Sequence, residues 1–176
     1  MIKKAVQIGN PIVRAKSKNV AIKSIGTKKI QNLIKDLADS MKHYKLIGMA
    51  APQIGLNLNV FVTQLAKTET RSKDTKYSKL LVFINPKLSV FSRERTEMME
   101  GCGSLVSGQL FGPVKRPKNV TVSAYDKNGE KFEIKATGLM AKVIQHEYDH
   151  LQGVICVDKF TDTKQVMQRD EYKKRK

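Results

Sequence analysis

The stretch QHEYDHLQG, Gln145 to Gly153, holds two of the chain's three histidines, with a glutamate directly after the first. On a helix, His146 and His150 lie one turn apart on the same face, and Glu147 borders that face. Two imidazoles so placed make a metal-ligand pair with an adjacent general base, or else a polar helix face that only looks like one. A third ligand decides between these readings, and Cys102 is the candidate. It stands in MEGCGSL between Gly101 and Gly103, whose missing side chains let backbone pass close to an ion. Cys156, in the apolar run VICV, reads instead as a small buried hydrophobe. One thiolate and two imidazoles leave a fourth position for water, the arrangement of a catalytic site, and zinc or iron would suit it.

These residues need elements to hold them. A helix capped by Thr27 is expected over residues 28–44, where Ile30, Leu33, Ile34, Leu37 and Met41 recur at helical spacing. The small residues and proline of IGMAAPQIG, Ile47 to Gly55, suit a turn. Strands are expected in NVFVTQL and LLVFINP, with an exposed polar loop at 68–79 between them. Further strands fall around RERTEMMEG and through residues 119–136, where Asn128-Gly129 closes a hairpin. A second helix from near Gly138 to near Gly153 carries the histidines. Its metal-facing stripe is Leu139, Val143, His146 and His150, while Met140, Ile144 and Leu151 read as core. Strands flanked by two helices indicate an α+β fold with mixed or antiparallel strands around the HExxH helix.

At 176 residues and 40% hydrophobic, the chain suits a single catalytic domain, residues 1–163, followed by a basic tail, 164–176. No apolar run approaches the roughly 18 residues of a membrane span, and the start MIKKAVQIGNPIV lacks a signal-peptide core. A cytoplasmic monomer without membrane contact is expected. Two cysteines make no disulfide framework. The net charge of +17, from 33 Lys and Arg against 16 Asp and Glu, draws the protein toward polyanions or simply solvates it. Without basic stretches interleaved with aromatics, sequence-specific nucleic-acid binding is not expected.

Three motifs, in order, resemble those of the peptide deformylase family: Gly48 to Gly55 (GMAAPQIG), Glu100-Gly101-Cys102 with Ser104, and His146-Glu147-x-Asp149-His150-Leu151-x-Gly153. Ile8-Gly9-Asn10-Pro11 with Arg14 resembles the family's N-terminal segment, so the likeness spans roughly residues 5 to 160. The resemblance implies the family's fold and removal of the formyl group from N-formylmethionyl nascent peptides. It implies a single divalent ion on Cys102, His146 and His150, ferrous iron by preference, with zinc, nickel or cobalt able to replace it. Glu147 would move the protons, while the Gln53 amide and the Gly103 N–H would stabilise the developing oxyanion. Backbone at Ile47 and Gly48 would pair with the peptide, and Glu100 would order the site. Leu139, Val143 and Met98 would hold the methionine side chain, or else belong to the core. Asp149 with Arg116 resembles a structural ion pair of the family.

The sequence departs from the family at Gly103, where leucine is usual, at Val106, where proline commonly follows the serine, and at Leu46, where glycine is usual. The segment from Ser104 to Arg116 is about two residues longer than the family pattern. Glycine keeps the backbone donor at 103 but aims it less firmly. Gly103→Leu is therefore expected to give equal or higher turnover unless Leu46 already fills the space. Two rivals follow: a deformylase-like hydrolase acting on another N-acyl peptide, and a basic ribosome- or RNA-binding protein with a structural metal. The four consecutive cations from Lys173 to Lys176 suggest weak ribosome contact.

Overall fold

A computed structural model describes residues 1–65 and 79–175. The exposed loop expected at 68–79 lies outside them except for Lys79, as does Lys176.

The first helix, α1, spans Lys28–His43 and buries Ile30, Leu33, Ile34, Leu37 and Met41, the apolar stripe of its sequence. Thr27 occupies the N-cap position, but its hydroxyl donates to the Ser24 carbonyl at 2.7 Å and caps nothing. Strands β1 (Gly48–Ala50), β2 (Val60–Thr63) and β3 (Leu81–Ser89) follow. Next come β4 (Arg95–Gly101), β5 (Leu110–Pro117), β6 (Asn119–Tyr125) and β7 (Lys131–Thr137). Helix α2 covers Gly138–Leu151, and a two-residue strand β8, Met167–Gln168, leads into the short helix α3, Arg169–Lys174. The strands form two sheets, β1-β2-β3-β6-β7 and β4-β5-β8, and neighbouring strands within them are antiparallel. The fold is thus α+β, with the HExxH sequence inside α2.

The larger sheet separates two cores. Val60 and Val62 join the α1 side, whereas Phe61 points to the α2 side and stacks on Phe83 at 4.5 Å. This is the period-two alternation of a strand buried on both faces, which explains the unbroken apolar run VFV. Met140, Ile144 and Leu151 of α2 are fully buried against the sheet.

Three strands form where no strand is expected from residue pattern. β1 replaces the start of the turn expected at IGMAAPQIG, its extended form set by pairing Gly48 with Thr63 and Ala50 with Phe61. β5 pairs with β4 from Phe111 to Pro117, while its other edge meets β8 only at Leu110 and Phe111 and residue 160 only at Val114, an edge position where prolines are tolerated. β8 and α3 fold much of the basic C-terminal segment onto β5, with Tyr172 stacked on Phe111 at 5.0 Å. The hairpin between β6 and β7 also differs in detail from a two-residue Asn-Gly turn. Asp126 N–H donates to Glu130 O at 2.9 Å, leaving three residues between them, with Gly129 left-handed at φ +86°. The Asp126 carboxylate accepts the Asn128 and Glu130 N–H groups and holds the loop.

Candidate active site

Cys102 follows the end of β4, and His146 and His150 sit one turn apart on α2, in contact with the larger sheet. One donor atom from each residue lies within 4.8 Å of the other two, and Cys102 Sγ is 3.1 Å from His150 Nε2. Tetrahedral zinc with such ligands has donor separations of roughly 3.3–3.7 Å, so this cluster fits a single small divalent ion. Glu100 Oε2 lies 2.9 Å from His146 Nδ1, which fixes the ring and leaves Nε2 for an ion. Arg116 holds Glu100 through Nε at 2.6 Å and Nη2 at 2.9 Å, and reaches Asp149 through Nη1 at 2.7 Å. The Asp149–Arg116 pair thus forms, and Lys159 completes it at 2.7 Å. Burial alone would raise the Glu100 carboxyl, but His146 and Arg116 outweigh it and hold the group at about 2. Cys102 is held well below the ordinary thiol range, chiefly by a hydrogen bond from Cys156, with the charge of His150 assisting against burial. Cys156 also shares a buried cluster with this candidate ligand, a neighbourhood that its apolar sequence neighbours did not signal.

Glu147 is almost wholly buried, and a Cβ at Gly48 would lie only 2.7 Å from its carboxyl carbon. Only a glycine at 48 lets the carboxylate take this place. Burial pushes the Glu147 carboxyl up to about 7 against the opposing pull of His146 and His150, and its Oε2 makes no hydrogen bond among the described residues. Beside it, Gln53 Oε1 accepts the Ala50 N–H at 2.8 Å, which turns Nε2 toward Cys102 Sγ at 3.6 Å. The Gly103 carbonyl accepts from Gln7 Nε2 at 3.0 Å. The longer segment after Ser104 makes a left-handed excursion, with positive φ at Val106, Ser107 and Gly108.

A Cβ at Gly103 would meet Leu46 Cδ1 at 2.9 Å and Gln53 Nε2 at 3.8 Å. Leu46 thus fills the space that a side chain at 103 needs, and the two departures compensate each other. Gly103→Leu alone should now lower turnover and stability, with overpacking of about 1–3 kcal/mol. The double variant Leu46→Gly with Gly103→Leu should recover much of both. Thermal unfolding and kcat/KM measured side by side check this, and a single variant equal to wild type would show the positions to be independent.

These groups meet on a cavity of about 480 Å³. Of the residues singled out in the sequence, Ile47, Gly48, Met98, Glu100, Leu139 and Val143 line it, together with Gln53, Cys102, Gly103, His146 and Glu147; His150 is buried behind. Met98 is 40% exposed, so it stands at the mouth and not in the core. β1 pairs with β2 on one edge and has no strand on the other among the described residues. Lys142, Phe111, Arg169, Tyr172 and Lys173 also line the cavity and were not foreseen. For Lys142 a signal existed: it is a charge inside the apolar run LMAKVI, one turn before His146.

A family model described as polypeptide deformylase matches residues 2–166. The chain is 40% identical to a peptide deformylase of Pseudothermotoga lettingae over 158 residues, covering 90% of this chain and 82% of that one. It is 35% identical over 162 residues to the chloroplastic peptide deformylase 1A of Solanum lycopersicum, covering 88% of this chain. The chain spans 58% of that plant protein's length. The crystal structure of a peptide deformylase from Thermotoga maritima superimposes with a TM-score of 0.80 at 27% identity, covering 92% of this chain and 99% of that one.

Proposed function

The chain belongs to the polypeptide deformylase family, and from that premise we propose that it removes the N-formyl group from the N-terminal methionine of newly made proteins, releasing formate. The observation that carries this reading is the buried Glu147 carboxyl beside the Cys102–His146–His150 cluster on one cavity. A purely structural metal would need no such acid.

A bound divalent ion, which we assign as ferrous iron with zinc, nickel or cobalt as substitutes, would supply a Lewis acid and acidify water. Glu147 takes the proton of the attacking water and returns it to the departing amine. Negative charge grows on the formyl oxygen during attack, and the Gln53 amide and Gly103 N–H are the chain's donors for it. The C–N bond then breaks, formate leaves, and the peptide keeps a free α-amino group. Leu139, Val143 and Met98 wall the methionine side chain. Ile47 and Gly48, at the open edge of β1, offer backbone to an extended peptide. Glu100 acts through His146, whose ring it holds. Formate release from formyl-Met-Ala-Ser by anaerobically prepared, iron-loaded protein tests the reading. No release with iron bound would overturn it.

We further assign this activity to a cytoplasmic monomer whose catalytic domain is residues 1–163, with residues 164–176 as a basic segment drawn to ribosomal RNA. No helix among the described residues is long and apolar enough to cross a membrane. Deleting the segment would remove β8 and Tyr172 from the cavity side of β5, so charge reversal is the cleaner test. Weak ribosome co-sedimentation is expected at low salt, fading as salt rises. Lys174→Glu with Arg175→Glu should reduce it, and unchanged co-sedimentation would make the segment a solvated end.

A further inference from the structure

We infer that the cavity selects formylmethionyl peptides whose next residues are acidic, with Lys142 as the enclosed specificity-determining residue; this rests on the deformylase reading. Lys142 rises from α2 between Leu139 and Val143, lines the cavity and is only 5% exposed. Its ammonium makes no hydrogen bond or ion pair with another described residue. Burial lowers its pKa from the ordinary lysine value, with the attraction of Glu100 opposing. Glu100 is no counter-ion for it, because Arg116 and His146 already occupy both carboxylate oxygens. Facing the cavity without a protein counter-ion, the ammonium is left to water, and a ligand carboxylate that reaches it supplies the missing partner. A methionine side chain needs only the apolar wall of Leu139, Val143 and Met98, so the lysine answers to another part of the substrate.

The rest of the lining has the same sign. Lys42 and Lys45 stand at the end of α1, and Arg169 and Lys173 come from α3. Lys173 has Asp170 at 3.4 Å and contributes less. Among the described residues, the lining carboxylates are Glu100, neutralised by Arg116, and Glu147, which stands beside the metal cluster. A protein of +17 net charge carries lysines around any opening, and those on the rim are screened by salt. Lys142 differs because its side chain is set in the cavity wall, with only 5% of the residue exposed, where screening is weaker than on the rim. Selection for acidic peptides should therefore have a salt-sensitive part from the rim and a salt-resistant part from Lys142.

The test compares kcat/KM of the iron-loaded enzyme for formyl-Met-Glu-Glu, formyl-Met-Ala-Ser and formyl-Met-Lys-Lys at about 0.01 M and about 1 M salt. The expected order is acidic, neutral, basic, with the acidic peptide ahead of the neutral one on the order of tenfold at low salt. High salt shrinks that ratio without abolishing it. Lys142→Met should bring the high-salt ratio to about one, and Arg169→Glu should lower only the low-salt ratio. Equal kcat/KM for acidic and neutral peptides at low salt, or a high-salt ratio unchanged in Lys142→Met, would overturn the inference. Calorimetric titration with the products Met-Glu-Glu and Met-Ala-Ser reads the same preference without turnover. Absence of formate from every peptide would overturn the deformylase reading, and the binding order would then decide the acidic preference by itself.

Discussion

Glu147→Ala is expected to keep one metal ion per chain and to lower kcat by about 10²–10⁴, the usual contribution of a positioned proton carrier. The side chain is outside the donor cluster of Cys102, His146 and His150, so its loss leaves all three ligands in place. What disappears is the group that accepts the proton of the attacking water and gives it to the amine. Water cannot replace it well, since Glu147 is buried against Gly48 and its carboxyl is oriented by that packing. Metal analysis and formate release measured on the same preparation separate the two effects. A Glu147→Ala enzyme of near-normal kcat would overturn the mechanism.

The same carboxyl sets a pH dependence. A base must be ionised to act, so kcat/KM falls as pH drops below the Glu147 pKa. Burial raises that value to about 7. A divalent ion beside the group favours the carboxylate, so the acidic limb of the loaded enzyme lies at or below about 7. In the metal-free protein the carboxyl should titrate near the higher value, visible as an infrared carboxylate band that Glu147→Gln lacks.

The ligands were legible in the sequence because metal chemistry restricts residue type and helices restrict spacing: His146, Glu147 and His150 carry both signals at once. Helix α1 and strand β7 were legible because their burial is written into a periodic pattern, and β2, β3 and β6 because short apolar or β-branched runs mark strands buried in a sheet. β1 and β5 were not. The three residues of β1 are extended because β2 pairs with them, and β5 carries prolines and cations on a strand whose second edge is paired only in part. The contact of Leu46 with residue 103 was suspected but not measurable, because it joins distant parts of the chain. Cys156 beside Cys102 gave no local sign at all. Such tertiary contacts follow from the arrangement of elements, and one sequence fixes that arrangement only through the pairing it allows.

Cys102→Ala is expected to abolish stoichiometric metal binding and, with it, all formate release. Among the described residues, Cys102, His146 and His150 form the one clustered donor set, so removing the thiolate leaves two imidazoles on a single helix face. Two neutral donors do not hold a divalent ion against water as a thiolate with two imidazoles does. The Gln53 amide and Ser104 N–H, both directed at Cys102 Sγ, lose their acceptor at the same time. Glu100→Gln offers a graded comparison, because Glu100 touches His146 Nδ1 and no ion. Its loss should weaken metal affinity about 10–100-fold while leaving a site that fills at high metal concentration. Cobalt loading reads both variants without turnover: the thiolate charge-transfer absorption should vanish in Cys102→Ala and return at higher cobalt in Glu100→Gln. A chelator should lower the Tm of the wild type and leave that of Cys102→Ala where it was, since only a protein that binds the ion gains stability from it. Full metal retention by Cys102→Ala would remove the cysteine from the site and leave the two histidines without the ligand that makes them a centre.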